Sequence, residues 1–170
     1  MHRILSIRPK EYPKAKVNCG YLSAKAILSA FGLELKRDPR PFLERVQGLT
    51  LPSSAVRILK INGIDAELKN ARSLTDQERL AVLEKSIDEN RPIMLIIGGV
   101  EAAQWITIWG RDDEKKTFFL YDSSKKTSPN QHIPIGNAEM TYGGLLSAWR
   151  GTPWLIHIFP SLSYLYIEIH

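Results

Sequence analysis

Apolar positions follow two rhythms along this chain. In residues 19–31, Leu22, Ala26 and Ala30, with Ile27 and Phe31, recur at helical spacing and predict a helix. Asn18 stands where an N-cap would be and Gly32 where a left-handed C-terminal glycine would be. Pro41 to Val46 has room for a short helix, and a further one runs from Ser53 or Ser54 to about Ile61, stopped by Asn62-Gly63. Thr75-Asp76-Gln77-Glu78 has the form of a capping box opening a helix to about Glu89. Strand rhythm appears where Ile64, Ala66 and Leu68 alternate with Asp65, Glu67 and Lys69. Pro92 to Ile97 and Trp105 to Trp109 are unbroken apolar runs, as in buried strands. Gly110-Arg111-Asp112-Asp113 is predicted as a turn, and Thr117 to Tyr121 as the returning hairpin strand. Lys125 to Gly136 reads as a polar loop and Thr141 to Trp149 as a short helix. Pro153 to Phe159 and Tyr164 to Ile169 are the closing strands, and residues 1–16, with Pro9 and Pro13, form an extended leading segment. The pattern predicts one α+β domain over residues 1–170, an N-terminal helical half packed on a C-terminal antiparallel sheet.

Composition narrows the function classes. With 44% hydrophobic and 24% charged residues, the chain has globular composition. No apolar run reaches the ~18–20 residues of a membrane helix, and the N-terminus lacks the apolar core of a signal peptide. The expected location is the cytoplasm, or outside the cell by a route that leaves no such signal. The net charge of +5 comes from scattered Lys and Arg, with no arginine-rich or aromatic-interleaved stretch, which argues against a nucleic-acid partner. The single cysteine, Cys19, excludes an internal disulfide and a cysteine-based zinc site. Gly98-Gly99 and Gly143-Gly144 fit no phosphate loop, and Asp112-Asp113 has turn rather than calcium-loop spacing. Neither a cofactor nor a metal is expected.

Cys19 has two readings. A lone cysteine behaves as a small buried hydrophobe. At a helix N-terminus, however, unpaired N–H groups and the helix dipole favour the thiolate, so a lowered pKa is expected. The same N–H groups would stabilise an oxyanion, and Gly20 would let a substrate approach the backbone.

The second half adds a pattern. Gln104-Trp105, the apolar run to Trp109, Gly110-Arg111-Asp112 and then Tyr121-Asp122 resemble the His-Trp…Gly-x-Asp…Asp pattern of papain-like thiol hydrolases of the peptidase C39 and C39-like type. Asn18-Cys19-Gly20 resembles their nucleophile motif, Pro52 to Ala66 their following helix and strand, and Leu145 to Gly151 their closing helix. The resemblance covers most of residues 12–159 and implies a papain-like fold acting on a peptide or protein segment. It puts Cys19 at the nucleophile, Asp122 at the orienting acid, and Asn18, Gly20 and Trp105 beside the substrate. It also shows two departures. Gln104 fills the histidine position, and a neutral amide accepts no proton from a thiol. Pro13 stands where the family places an oxyanion-stabilising glutamine.

Other histidines offer little. His2 and His170 are at the ends, where disorder is expected. His157 lies in an apolar run, and His132 lies in the loop that leaves Asp122. Asp122 itself has a second reading as a turn former before Ser123-Ser124, and Gln104 as a polar strand residue. Three function classes remain: a degenerate domain that binds a peptide near Cys19 with weak or no hydrolysis, an active cysteine peptidase or amidase, and a protein that keeps only the fold, with an inert Cys19.

Overall fold

Antiparallel hydrogen bonding between segments as distant as residues 2 and 169 gathers seven strands into one sheet. The structure is a computed structural model and describes residues 2–10, 12–13, 15, 17–98, 103–125, 133–151 and 163–170. In chain order the elements are β1 (His2–Ile4), α1 (Cys19–Ala30), α2 (Phe42–Gln47), α3 (Pro52–Ile61), β2 (Ala66–Asn70), α4 (Asp76–Asp88), β3 (Ile93–Gly98), β4 (Ala103–Asp112), β5 (Thr117–Tyr121), β6 (Ala138–Thr141), α5 (Tyr142–Arg150) and β7 (Leu165–Ile169). The strand order is β2-β7-β3-β4-β5-β6. Strand β4 is long enough to take two partners on one edge, β3 along Ala103–Ile108 and β1 along Gly110–Asp112.

The predicted α+β class is the one found. Helices α1 and α3 pack together, α1 on β4 and α3 on β2, while α4 packs on β4 and α5 on β3. Every residue of β5, and β3 from Ile93 to Ile97, is buried, so both faces of the central sheet are covered. Trp109, Trp149, Tyr121 and Phe118 are the largest fully buried side chains. Among the described residues, no helix is long and apolar enough to cross a membrane.

Local chemistry explains most element ends. Helix α1 stops in a Schellman arrangement: Gly32 has φ +72°, its N–H donates to the Ser29 carbonyl, and that of Leu33 donates to the Leu28 carbonyl. At α4 the Thr75 hydroxyl accepts the Glu78 N–H at 3.3 Å while the Glu78 carboxylate accepts the Thr75 N–H at 2.7 Å, the reciprocal box read from the sequence.

Three expectations are corrected. The segment Gly110–Asp112 is strand, not turn; the turn follows at 113–116, where the Asp112 carboxylate accepts the N–H groups of Glu114 and Lys115 at 2.9 and 3.1 Å. Register shifts against β5 between Ile108 and Gly110, and β1 passes so close that a Cβ on Gly110 would lie 2.7 Å from the Arg3 carbonyl oxygen. Strand β1 falls in the leading segment, so His2 is paired into the sheet rather than loose. Strand β6 was not expected either. The predicted strand Pro153 to Phe159 lies outside the described residues.

Candidate active site

Helix α1 begins at Cys19 because the chain reverses at Asn18, which takes a left-handed conformation (φ 66°) that asparagine tolerates. The Asn18 side chain makes no cap hydrogen bond, contrary to expectation. Its amide oxygen instead accepts from the buried Arg40 guanidinium at 2.8 Å, and its N–H donates to the Gly48 carbonyl at 2.7 Å. Arg40 is fixed in turn by Asp38 at 2.8 Å and the Leu49 carbonyl at 3.0 Å. Asn18 is therefore committed to holding the loop before the helix.

The thiol of Cys19 is half-buried, and its Sγ accepts the backbone N–H of Trp105 at 3.4 Å. Strand β4 thus meets the start of α1 one residue from Gln104. The Gln104 amide nitrogen donates a short hydrogen bond to Asp122 Oδ1 at the end of β5. The same oxygen accepts the Ser124 N–H at 2.8 Å and its hydroxyl at 2.7 Å. Asn137 grips the Asp122 backbone on both sides, accepting its N–H at 2.8 Å and donating to its carbonyl at 2.9 Å. Cys19, Gln104 and Asp122 are thereby brought to one place.

The electrostatics of the thiol correct an expectation. Burial pushes the Cys19 pKa up, and the N–H groups of Trp105 and Gly20 oppose this without prevailing; the Asp122 carboxylate adds to the rise. The helix N-terminus acts in the predicted direction, but desolvation outweighs it. The space above Gly20 is also filled, since a Cβ there would lie 2.6 Å from both Thr50 Cβ and Trp105 Cδ1. Trp105 is buried, its indole N–H donating to the Thr50 carbonyl at 2.8 Å. Gly20 serves the packing of Trp105 and leaves no open approach for a substrate.

An apolar recess of about 160 Å³ adjoins this site. Leu49, Leu51, Pro52, Ile96, Ala103 and Trp105 line it together with Gln104. Wider clefts of about 440 Å³ beside Arg72 and Arg150, and about 690 Å³ beside His2 and Arg3, are not lined by Cys19, Gln104 or Asp122.

No histidine joins the site among the described residues. His2 bonds Asp112 at 2.8 Å, eight residues along β4 from Gln104 and so roughly 26 Å away at ~3.3 Å per residue. His170 lies near Glu67 at 3.7 Å. His132 and His157 lie outside the described residues. At Pro13, the position where the resemblance would place a glutamine donor, the backbone carbonyl accepts from the Tyr121 hydroxyl, and the Ala15 N–H donates to the Ser123 carbonyl at 3.0 Å. That ties the leading segment across the end of β5. Glu67, Glu168 and His170 have metal-like spacing, but the Lys69 ammonium contacts both carboxylates and takes the cation's place.

Arg40, Ser124 and Asn137 were not singled out from the sequence. Asn137 and the Arg40 contact with Asn18 act across the fold and carry no local signal, whereas Ser124 closes the turn after Asp122 that the sequence did offer.

No protein-family model and no curated protein matches the sequence. Solved structures do match the backbone. A double-glycine-motif protease from an AMS/PCAT transporter, in complex with its leader peptide, aligns over 100% of this chain and 99% of its own, with a TM-score of 0.54 and 11% identity. UfSP from C. elegans aligns over 99% of this chain but 34% of its own, with a TM-score of 0.55 and 15% identity. The fold of this chain is papain-like. At such identities the likeness concerns the backbone path, and the chemistry rests on this chain's own residues.

Proposed function

We propose that this chain is a papain-fold domain of the C39-like type that binds a peptide or protein segment in the recess beside Cys19 without cutting it. The observation that carries this reading is the Gln104–Asp122 hydrogen bond next to the thiol. The amide occupies the acid's partner position and accepts no proton, so thiol activation by a neighbouring base is lost. Burial holds Cys19 in its protonated form, which acts in the same direction. The recess of about 160 Å³ matches cavities of ~150 Å³ that hold one benzene-sized group, so it suits a single Leu, Met or Phe side chain. A structurally similar protease was solved with a leader peptide, which supports a peptide as the occupant.

The second reading is an active cysteine peptidase or amidase. It draws on the half-buried thiol at the start of α1 and on Asp122, already fixed beside Gln104. A panel of labelled peptides carrying Leu, Met or Phe anchors separates the two. Anisotropy is expected to show saturable binding, weakened when Ala103→Trp fills the recess, and mass spectrometry no products. Cleavage that vanishes in Cys19→Ser would establish the second reading. Absence of binding across the panel would remove the first.

A further inference from the structure

Helix α2 is amphipathic the wrong way round. At about 100° per residue, Phe42, Val46 and Leu43 share one arc, flanked by Arg45 and Gln47, with Glu44 opposite. The apolar arc faces outward: Phe42 is 70% exposed, Leu43 68% and Val46 67%. The single carboxylate faces inward, where it is buried and accepts from the Ser54 hydroxyl at 2.7 Å and the Leu51 N–H at 3.0 Å. Leu49, Leu51 and Val17, each more than half exposed, extend the apolar surface.

Such exposure means that Phe42, Leu43 and Val46 project, whereas Leu49 and Leu51 also edge the recess at Trp105. None of Phe42, Leu43, Val46 and Val17 lines that recess. From Lys36 to Arg57 the chain is mainly basic. Between Lys36 and Arg57 the only carboxylates are Asp38, paired to Arg40 at 2.8 Å, and the buried Glu44. Lys36, Arg37, Arg45 and Arg57 are exposed.

We propose that α2 and residues 49–51 form a docking tip for an anionic lipid surface, with Phe42, Leu43 and Val46 entering the headgroup region and the arginines meeting lipid phosphates. A projecting apolar tip on a stretch of chain whose exposed lysine and arginines outnumber its acids is complementary to a bilayer with a negative surface and an apolar interior. The proposal does not rest on the peptide-binding reading: Phe42, Leu43 and Val46, which carry it, do not line the recess, although Leu49 and Leu51 border both.

Co-sedimentation with vesicles tests it. The whole chain is expected to pellet with phosphatidylglycerol–phosphatidylcholine vesicles and to remain in solution with phosphatidylcholine alone. Phe42→Ser/Leu43→Ser/Val46→Ser, which changes only exposed positions, should weaken binding at least ten-fold with near-ultraviolet circular dichroism unchanged. Arg37→Glu/Arg45→Glu should do the same and leave the apolar tip intact. Failure of the wild-type chain to bind anionic vesicles would overturn the proposal, as would undiminished binding by the triple variant. A wild-type dimer that the triple variant converts to monomer, without vesicle binding, would assign the face to self-association and equally overturn it.

Discussion

Two influences meet at the sulfur of Cys19, and their balance decides the chemistry. The N–H groups of Trp105 and Gly20 favour the thiolate, while burial and the Asp122 carboxylate favour the thiol and prevail. On the function proposed above, replacing Gln104 by histidine would supply a base beside Asp122, which already bonds the side chain at that position. We predict that Gln104→His raises the alkylation rate of Cys19 at neutral pH and, on a bound peptide, raises amide hydrolysis from background. General-base catalysis contributes ~10²–10⁴-fold, and one lacking oxyanion donor removes ~10²–10³-fold, so the gain in thiol reactivity should exceed the gain in turnover. An unchanged alkylation rate would show that the amide does not stand in the base's position. The residues of this site were partly legible in the sequence. Cys19 opens a periodic helix and Asp122 ends a strand, so each could be placed. Asn137 could not, because its importance lies in two hydrogen bonds to the Asp122 backbone across a loop. Asn137→Ala leaves the Asp122 N–H unpaired, while its carbonyl keeps the Lys125 N–H, and urea denaturation should show a loss of about 1–2 kcal/mol.

At the level of elements, the start of α1 is locked to β4 by packing as well as by the thiol contact. Gly20→Ala would drive a methyl group toward Thr50 and the Trp105 indole, both 2.6 Å from the built Cβ. A destabilisation of about 1–3 kcal/mol is expected, with altered tryptophan fluorescence. A stability equal to wild type would mean that the indole moves aside freely. Helix α4 was readable because Thr75 and Glu78 carry their own start signal, and Thr75→Ala should cost about 1 kcal/mol by the same denaturation assay. Strands β1 and β6 were not readable, for a physical reason. They have three and four residues, too few to show alternation, and their pairing with β4 and β5 is decided by distant partners. The end of β4 misled for the opposite reason. Gly110 and Asp112 are turn-forming residues, yet here the glycine admits the close passage of β1 and Asp112 caps the turn that follows.

At the scale of the molecule, the sheet joins the thiol on α1 to the acid at the end of β5 through β4, the strand both contact. The papain-like frame is retained, and on the function proposed above Gln104 stands in place of a proton acceptor, leaving a place for a peptide without a means to activate the thiol. The raised thiol pKa has a consequence for the whole protein. The folded state keeps the Cys19 proton to higher pH than the unfolded state does. Its contribution to stability is therefore complete below the ordinary thiol value and is lost as pH rises through the folded value. The pH dependence of iodoacetamide alkylation of the folded chain tests the central claim most directly. A single rise is predicted, with its midpoint above the ordinary thiol range and negligible reaction near neutrality. A reactive plateau extending below neutral pH, the signature of a thiolate paired with a base, would contradict it.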